Sequence, residues 1–357
     1  MEAAALALLV LAAGPVLFGL WHWCATVRAP AIDNVSGAVT LVLPLAPGSQ
    51  VGPLLTALAV QSLPPRRIII AVENADDAPA GMEVAVAGTA TGRGQKSHNL
   101  LAALALIDAR DQAVVFLDAD ILPPPGWLAF LAGPVLRGER DVVGGYRWSI
   151  PHGPMAQAVA WLDRGWALNA RVPALDIAWG GSLAFSSAHL ATVRRGLGHG
   201  LSDDLGIAAA ARADGLRLLI RGALLVPSPL EGPGVVEFWT RQLRILRFYR
   251  PRLWAAQMVY SHAVLAAWVM LWGSAALLGA MAMQATRSLA QDVAARRLGM
   301  PDAPGTRAWQ ALFALLPLPD LLNLFCLWSS AIGTTLTWRG ITYAVAPDGA
   351  AHVVSRA

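Results

Sequence analysis

Three long stretches with almost no charged side chains constrain this chain more than any other feature. No Lys, Arg, Asp or Glu occurs from Ala3 to Val27 or from Leu253 to Thr286, and Asp320 is the one charged residue from Ala308 to Thr337. Each stretch exceeds the roughly 20 residues that a helix needs to cross a bilayer. With 14% charged residues and a mean hydropathy of +0.51, the 357-residue chain is too apolar for an ordinary soluble domain. We therefore expect part of it to lie in lipid.

The charged residues concentrate between the first two apolar stretches, over a length typical of one globular domain. This distribution predicts four parts. They are an N-terminal transmembrane anchor at 3–24, a globular domain at 28–250, a C-terminal membrane region of two or more apolar segments at 253–338, and a short tail at 339–357.

The first apolar stretch suits either a retained anchor or a cleaved signal peptide. It begins Met1-Glu2, without the basic residues of a signal peptide, and this favours the anchor. Glu2 before the stretch and Arg28 after it place the following domain in the cytoplasm under the positive-inside rule. Cys24 and Cys326 fall at or within apolar stretches, so no disulfide framework is indicated. We predict an integral membrane protein whose globular domain faces the cytoplasm.

Strand-like and helix-like segments alternate within the globular domain. Strands are predicted at 38–45, 67–72, 82–87 and 113–117, with helices at 51–63 and 99–109. Later segments at 141–148, 155–169 and 217–226 add strand, helix and strand. The pattern predicts an α/β fold with a mixed, mainly parallel sheet covered on both faces. Ligands of such sheets bind beyond the carboxyl ends of the strands, where Glu73 and Asp118 fall.

Two carboxylates separated by one residue directly follow the strand predicted at 113–117. At a strand end, Asp118 and Asp120 can approach one cation, and hard oxygen ligands suit Mg²⁺ or Mn²⁺ together with substrate phosphates. Asp is also favoured in turns, and three prolines follow at 123–125. The spacing alone leaves a metal site and a plain turn equally open.

Asp203 and Asp204 form a second carboxylate pair, at the start of a helix predicted at 205–213. An acidic residue at a helix start is ordinary N-cap chemistry, and either Ser202 or Asp203 could be the cap. A cap does not require two carboxylates, however, and a carboxylate beside another tends to have a raised pKa, which suits a general base.

Three further segments carry groups that suit a phosphate or a sugar. The segment 93–99 offers Lys96 and amide donors before a helix, although Ser97 could simply be an N-cap in a solvated loop. Gln242 and Arg244 could reach a diphosphate, but they lie in an arginine stripe that also suits lipid headgroups. The segment 179–182 (WGGS) combines a stacking ring with glycines, which usually mark only a turn.

Taken in order, these segments resemble the family 2 inverting glycosyltransferases, and within them the ceramide glucosyltransferase-like branch that includes bacterial hopanoid glycosyltransferases. The ordered set is Gly94-x-Lys96-x-x-Asn99-Leu100, Asp118-Ala119-Asp120, Trp179-Gly180-Gly181-Ser182, Asp203-Asp204, Arg241-Gln242-Leu243-Arg244, and Trp338-Arg339-Gly340 with Tyr343. The chain departs from that family at Ile245, where Trp is usual, and at Asp203, where Glu is commoner.

The resemblance implies a nucleotide-sugar-binding domain of the GT-A type and a role for each candidate side chain. Glu73 would lie near the uracil or ribose of a UDP-sugar. The other donor-binding residues would be Lys96, Asn99, Asp118, Gln242 and Arg244. Asp118 and Asp120 would be the ligands of a divalent metal (Mg or Mn), and Asp204 would be the catalytic base. The residues that bind or support the acceptor would be Trp179, Gly181 and Asp203.

The resemblance also implies a reaction, a single displacement that moves a sugar with inversion onto a lipid acceptor such as a ceramide or hopanoid at a bacterial inner membrane. A sequence pI of about 9.6, without a basic block interleaved with aromatic residues, favours a membrane surface over nucleic acid. A processive polysaccharide synthase and a non-catalytic membrane protein that binds nucleotide sugar or lipid are the alternatives.

Asp320 stands alone inside the last apolar stretch. An ionisable residue within a membrane segment is a functional candidate by default. Prolines at 317 and 319 could instead break the stretch, so that Asp320 caps a helix at the interface. We favour the cap.

Overall fold

A computed structural model describes residues 2–26, 35–170, 172, 178–198, 200–274 and 276–357. The start of the predicted globular domain, residues 28–34, lies outside these ranges. The strands are β1 Val39–Pro44, β2 Arg67–Val72, β3 Glu83–Val86, β4 Ala113–Leu117, β5 Val142–Pro151, β6 Ser182–Ser186, β7 Leu218–Leu230, β8 Thr335–Trp338, β9 Ile341–Val345 and β10 Ala351–Arg356. The helices are α1 Glu2–Thr26, α2 Gly52–Ala59, α3 Gln95–Leu104, α4 Trp127–Leu136, α5 Pro154–Asn169, α6 Leu190–Leu197, α7 Asp203–Ala213, α8 Val235–Tyr249, α9 Pro251–Leu271, α10 Leu277–Leu298, α11 Thr306–Leu315 and α12 Leu318–Ala331.

The chain forms two compact units that alternate along the sequence. The sheet unit comprises Pro30–Arg147, Asp176–Ser228 and Thr334–Ala357; the helical unit comprises Met1–Ala29, Trp148–Leu175 and Pro229–Gly333. The units are defined by contacts between segments that are distant in sequence, and the predicted boundaries of anchor, globular domain, membrane region and tail stay a prediction.

The larger sheet has seven strands in the order β3-β2-β1-β4-β6-β5-β7. β1 pairs in parallel with β2 and β4, and β2 pairs in parallel with β3, whereas β6 is antiparallel to both β4 and β5. The side chains of β4 (AVVFL) are all buried, as expected for a strand whose two faces are covered. The predicted mixed, mainly parallel α/β sheet is confirmed.

A second sheet, in the order β10-β9-β8, completes the sheet unit. Its residues were predicted as the end of the membrane region and a tail. Arg339 and Gly340 join β8 to β9 with φ of +51° and +75°, and two positive φ values in a two-residue loop match a type I′ hairpin turn. A non-glycine residue rarely adopts this conformation, so the hairpin holds Arg339 under strain.

Tryptophans tie the helices of the helical unit together. Trp161 on α5 packs edge to face on Phe313, and its Nε1 donates to Ser288 Oγ at 3.1 Å. Trp239 on α8 donates to Asn323 Oδ1 at 2.9 Å. Each indole is buried and bonded to a polar partner, which is how such side chains stabilise a core without an unpaired N–H.

One helix of the described ranges, α9 with 21 residues, is long and apolar enough to cross a membrane. The pair α11 and α12, bent by 82° at the break between them, would be a second candidate if it forms one broken span. α1 is a 25-residue helix, and its role as an anchor stays a prediction.

Asp320 does not cap α12, so that prediction was wrong. Prolines do break the last apolar stretch, and the N-cap of α12 is Pro317. Asp320 lies in the first turn, 2% exposed, where it pairs with Arg287 Nη1 at 3.0 Å and accepts a hydrogen bond from Gln284 Nε2. Its partners Arg287 and Gln284 lie on α10, far away in sequence, and a local pattern around Asp320 does not reveal them.

Removing one partner of this buried pair is expected to destabilise the helical unit. Asp320→Leu leaves the Arg287 guanidinium without its carboxylate, which costs about 3–5 kcal/mol for a buried pair. Thermal unfolding in detergent measures the effect, and Arg287→Met combined with Asp320→Leu is expected to recover most of the loss. A single variant that unfolds at the temperature of the parent would show that the pair contributes little.

Candidate active site

A half-buried ammonium lies between two carboxylates at the carboxyl end of β4. Lys96, in the first turn of α3, places its Nζ 2.8 Å from Asp118 Oδ1 and 3.0 Å from Asp203 Oδ2. The three residues come from a helix start, a strand end and the start of α7. One cation thus holds together carboxylates that are far apart in sequence.

Two glycines let these groups approach one another. A Cβ on Gly180 would lie 2.2 Å from Asp203 Oδ2, and one on Gly181 would lie 2.3 Å from Cζ2 of Trp179 and 2.6 Å from Asp118 Oδ2. Side chains of any other residue type therefore do not fit at either position without displacing the carboxylates. The segment 179–182 therefore does more than form a turn, because its glycines leave room for the carboxylates of Asp118 and Asp203.

Three donors fix the orientation of the Asp204 carboxylate. Ser202 Oγ and the Leu205 amide donate to Oδ1 at 2.5 and 2.7 Å, and the Gly180 amide donates to Oδ2 at 3.2 Å. Ser202 is also the N-cap of α7, since its Oγ accepts from the Leu205 amide. The cap prediction for Ser202 is confirmed, and Asp204 remains half-buried with its second oxygen bonded only to one amide among the described residues.

Burial and neighbouring charge alter the ionisation of this cluster. Burial by itself would lower the pKa of the Lys96 ammonium, but the charges of Asp118 and Asp203 outweigh it and raise that pKa above its usual range. Burial, together with the charges of Asp204 and Asp118, raises the pKa of Asp203 to about 6 despite the opposing effect of Lys96. Desolvation by surrounding protein atoms, and then the charge of Asp118, raises the pKa of Asp120.

The raised pKa of Asp203 predicts an acidic limb in the pH profile. As the pH falls through about 6, Asp203 takes up a proton and the Lys96–Asp203 ion pair is lost. We expect kcat/KM to fall over that range, and Asp203→Asn to remove the limb while lowering the plateau.

Unfolding does not account for such a limb. The pKa of Asp203 is about 6 in the folded protein, above its usual 3.8, so the protonated carboxyl stabilises the folded state. This stabilisation is fully present below pH 3.8 and is lost as the pH rises through about 6. The temperature of unfolding is therefore not expected to fall with this group's protonation. A limb that persists unchanged in Asp203→Asn would assign it to another group.

Glu73, predicted near the nucleotide, carries an unexpected partner. Arg356 of β10 places Nη1 2.8 and 2.9 Å from the two Glu73 oxygens, and Thr89 Oγ1 donates to Glu73 Oε1 at 2.9 Å. Sequence reasoning missed Arg356. Its one signal is that it is the single arginine after Gly340, at the end of an otherwise uncharged strand.

Asn99 is 2% exposed and bonded within the sheet unit. Its Oδ1 accepts from Gln95 Nε2 at 2.8 Å, and its Nδ2 donates to the Leu45 and Ala71 carbonyls at 3.4 Å. These bonds hold the start of α3 against the ends of β1 and β2. The observed bonds of Asn99 support the start of α3, and its direct contact with the donor stays a prediction.

Most of the candidate side chains belong to the sheet unit. Gln242 and Arg244 lie on α8 in the helical unit, where Arg244 Nη2 donates to the Ser329 carbonyl at 2.8 Å. The candidates gathered at the end of β4 are Lys96, Asp118, Asp120, Trp179, Gly181, Asp203 and Asp204.

A divalent metal fits the chemistry of Asp118 and Asp120, which offer oxygen ligands at a strand end. In the part of the chain that the structure describes, no group of three or more His, Cys, Asp or Glu side chains could hold a metal. Mg²⁺ commonly binds through one or two carboxylates together with substrate phosphates. The residues present therefore fit an ion that shares its ligands with a bound diphosphate.

The sequence model of glycosyl transferase family 21 matches residues 58–351. The chain belongs to glycosyl transferase family 21. The match includes every candidate site residue named above except Arg356, and it confirms the predicted glycosyltransferase class. The matching family is number 21, whereas the ordered motifs resemble family 2. No curated protein sequence matches the chain.

Solved structures show where the fold of this family 21 glycosyltransferase recurs. A mannosyltransferase from Pyrobaculum calidifontis, solved with GDP-mannose and Mn²⁺, is 17% identical over 92% of this chain and 97% of its own, with a TM-score of 0.51. Glucosyl-3-phosphoglycerate synthase from Mycobacterium tuberculosis, solved with Mn²⁺, UDP and glucosyl-3-phosphoglycerate, is 18% identical over 57% of this chain and 77% of its own, with a TM-score of 0.40. The first similarity shows a shared fold; the second is too weak to support an argument.

Proposed function

We propose that this family 21 glycosyltransferase moves a sugar from a nucleotide-sugar donor, a UDP-sugar, to the hydroxyl group of a membrane lipid. The observation that carries the proposal is the convergence of Lys96, Asp118 and Asp203 beside the oriented carboxylate of Asp204. A diphosphate leaving group needs nearby positive charge, and a neutral hydroxyl needs a base. This cluster supplies a cation and a base.

Donor binding falls to the residues at the carboxyl ends of the strands. Asp118 and Asp120 would hold a divalent ion, which when bound supplies positive charge to the departing diphosphate. Lys96 adds a fixed cation beside Asp118. That the Pyrobaculum calidifontis mannosyltransferase was solved with GDP-mannose and Mn²⁺ supports a nucleotide-sugar donor and a metal here as well.

Asp204 would remove the proton from the acceptor hydroxyl. As that proton passes to the carboxylate, the acceptor oxygen bonds to the anomeric carbon and the bond from this carbon to the diphosphate oxygen breaks. Attack from the side opposite the leaving group inverts the anomeric configuration. The donors from Ser202, Leu205 and Gly180 hold the carboxylate in place for this step.

A lipid acceptor fits the apolar surface of the helical unit. Exposed apolar side chains occur at Val259 and Val269 of α9, at Trp272 directly after it, and at Leu321 and Phe325 of α12. A soluble protein rarely exposes so many large apolar side chains together. We infer an integral membrane protein, with the sheet unit in the cytoplasm and the acceptor drawn from the membrane, as for a ceramide or hopanoid.

Purified protein given Mg²⁺ or Mn²⁺, a UDP-sugar and membrane lipid extract tests the proposal. We expect UDP release that depends on the lipid, and a single glycosylated lipid identified by mass spectrometry. A product series that grows by repeated sugar units would favour a polysaccharide synthase. Binding of nucleotide sugar with no UDP release under any lipid would favour a non-catalytic binding protein.

A further inference from the structure

The three-stranded sheet places an arginine on the residue expected to meet the nucleoside. Arg356 contacts both oxygens of Glu73 through Nη1, and its Nη2 donates to Gln95 Oε1 at 2.7 Å and to the Ala90 carbonyl at 3.2 Å. The side chain of Arg356 is 30% exposed and that of Glu73 is 13% exposed, so the arginine partly faces solvent while the carboxylate is mostly covered.

We propose that Arg356 is a positioning residue for nucleotide binding, which orients Glu73 and neutralises its charge so that the carboxylate can accept a hydrogen bond from the nucleoside. The inference rests on the proposed function, because it takes Glu73 to lie at the uracil or ribose. It makes the last strand, β10, part of the donor site.

Glu73 keeps acceptor capacity beyond the bonds it makes. A carboxylate has about four lone-pair positions on two oxygens. Oε1 accepts from Thr89 and Arg356, whereas Oε2 accepts only from Arg356 among the described residues. One position on Oε2 remains for an N–H or O–H donor. Uracil N3–H and the ribose hydroxyls are donors of this kind.

Charge compensation is the second contribution of Arg356. A nucleoside diphosphate is an anion, and an unpaired carboxylate beside its nucleoside would repel it at short range. With Arg356 in place, the Glu73–Arg356 pair is neutral overall. Glu73 can then recognise a neutral base or sugar without opposing the approach of the diphosphate.

Gln95 links this pair to the catalytic cluster. Its Oε1 accepts from Arg356 and from the Ala90 amide, its Nε2 donates to Asn99, and its backbone amide donates to Tyr343 Oη of β9 at 3.2 Å. The next residue along α3 is Lys96. The same bonds that orient Glu73 therefore also fix the first turn of the helix that carries the ammonium.

A double-mutant cycle on the whole chain tests the proposal. UDP affinity is measured by calorimetry with Mn²⁺ present for the parent, Arg356→Ala, Arg356→Lys, Glu73→Gln and the double variant Glu73→Gln/Arg356→Ala. We expect Arg356→Ala to weaken UDP binding by about tenfold or more, the scale of a charge-assisted hydrogen bond. Arg356→Lys is expected to retain part of the affinity.

The double variant gives the decisive result. Glu73→Gln removes the carboxylate charge that Arg356→Ala leaves unpaired, so the double variant is expected to bind UDP more tightly than Arg356→Ala alone. A purely structural role of Arg356 would not produce this recovery. Arg217→Ala, which breaks the exposed Arg217–Asp141 pair of the same unit, is the matched control and is expected to leave UDP affinity unchanged.

Two outcomes would overturn the inference separately from the proposed function. If the parent binds UDP and Arg356→Ala binds it equally well, Arg356 does not position the site. If the double variant binds UDP no more tightly than Arg356→Ala, Arg356 does not act by neutralising the charge of Glu73. A parent protein that binds no UDP would overturn the proposed donor, and the inference with it.

Discussion

Asp204→Asn is expected to lower the rate of sugar transfer by about 10²- to 10⁴-fold, the contribution usual for a general base. The amide cannot take the proton of the acceptor hydroxyl. It can still accept from Ser202 and Leu205 through its oxygen, so the start of α7 is expected to stay in place. UDP affinity is therefore expected to remain within about twofold of the parent, since the lost group acts on the acceptor.

The measurement pairs lipid-dependent UDP release with UDP binding by calorimetry. Asp214→Asn is the matched control, because it removes a carboxylate from the other end of α7 that pairs with Arg195. That variant is expected to transfer sugar at nearly the parental rate. Turnover of Asp204→Asn at the parental rate would exclude Asp204 as the base, and a parallel loss of UDP affinity would place it at the donor instead.

Gly180→Ala is expected to abolish most activity and to destabilise the sheet unit. The new Cβ would lie 2.2 Å from Asp203 Oδ2 and 3.2 Å from Lys96 Nζ, and Asp203 is only 3% exposed, so the carboxylate has little room to move. Overpacking of this kind costs about 1–3 kcal/mol. Displacing Asp203 also breaks its pair with Lys96, and we expect transfer to fall at least 100-fold, about the smallest loss expected when a catalytic cluster is misplaced.

Gly92→Ala provides the comparison, because a Cβ there would meet nothing within 4 Å and its φ is not positive. It is expected to match the parent in transfer rate and in temperature of unfolding. Gly180→Ala combined with Asp203→Ala is expected to recover stability but not activity, since the clash is gone while the Lys96 partner is lost. Gly180→Ala with parental activity would show that the cluster tolerates a shift of Asp203.

The sequence predicted the part of the site that depends on local pattern. Asp118 follows a strand of five apolar residues, so its place at the carboxyl end of β4 could be read from the chain alone. The positions of Lys96 before a helix and of Asp204 at a helix start follow from equally local patterns. The ion pairs of Lys96 with Asp118 and Asp203 join residues 22 and 107 positions away (118 − 96 and 203 − 96), and no periodicity reports such a distance.

The elements that were missed have weak or misleading local signals. β6 is a short strand (SLAFS) next to two glycines, and α4 (WLAFLAGPVL) is apolar on every side, with a proline inside. β8 lies at the end of a nearly uncharged stretch, which by composition resembles membrane sequence. The prediction for Asp320 failed for a related reason. Its partner Arg287 lies on α10, 33 residues earlier (320 − 287), and no local pattern indicates that the two helices meet.

For the membrane protein that we propose, the second sheet also restricts how the intervening chain can pass through a bilayer. Residues 176–228 and 334–357 belong to one compact unit and so lie on one side of any membrane. The path from 229 to 333 must then leave and return to the same face, which allows an even number of crossings and forbids an odd one. Immersion of the helices in a single leaflet satisfies this parity, and it keeps Ser288 of α10 beside Trp161 of α5, whose chain ends both join the sheet unit.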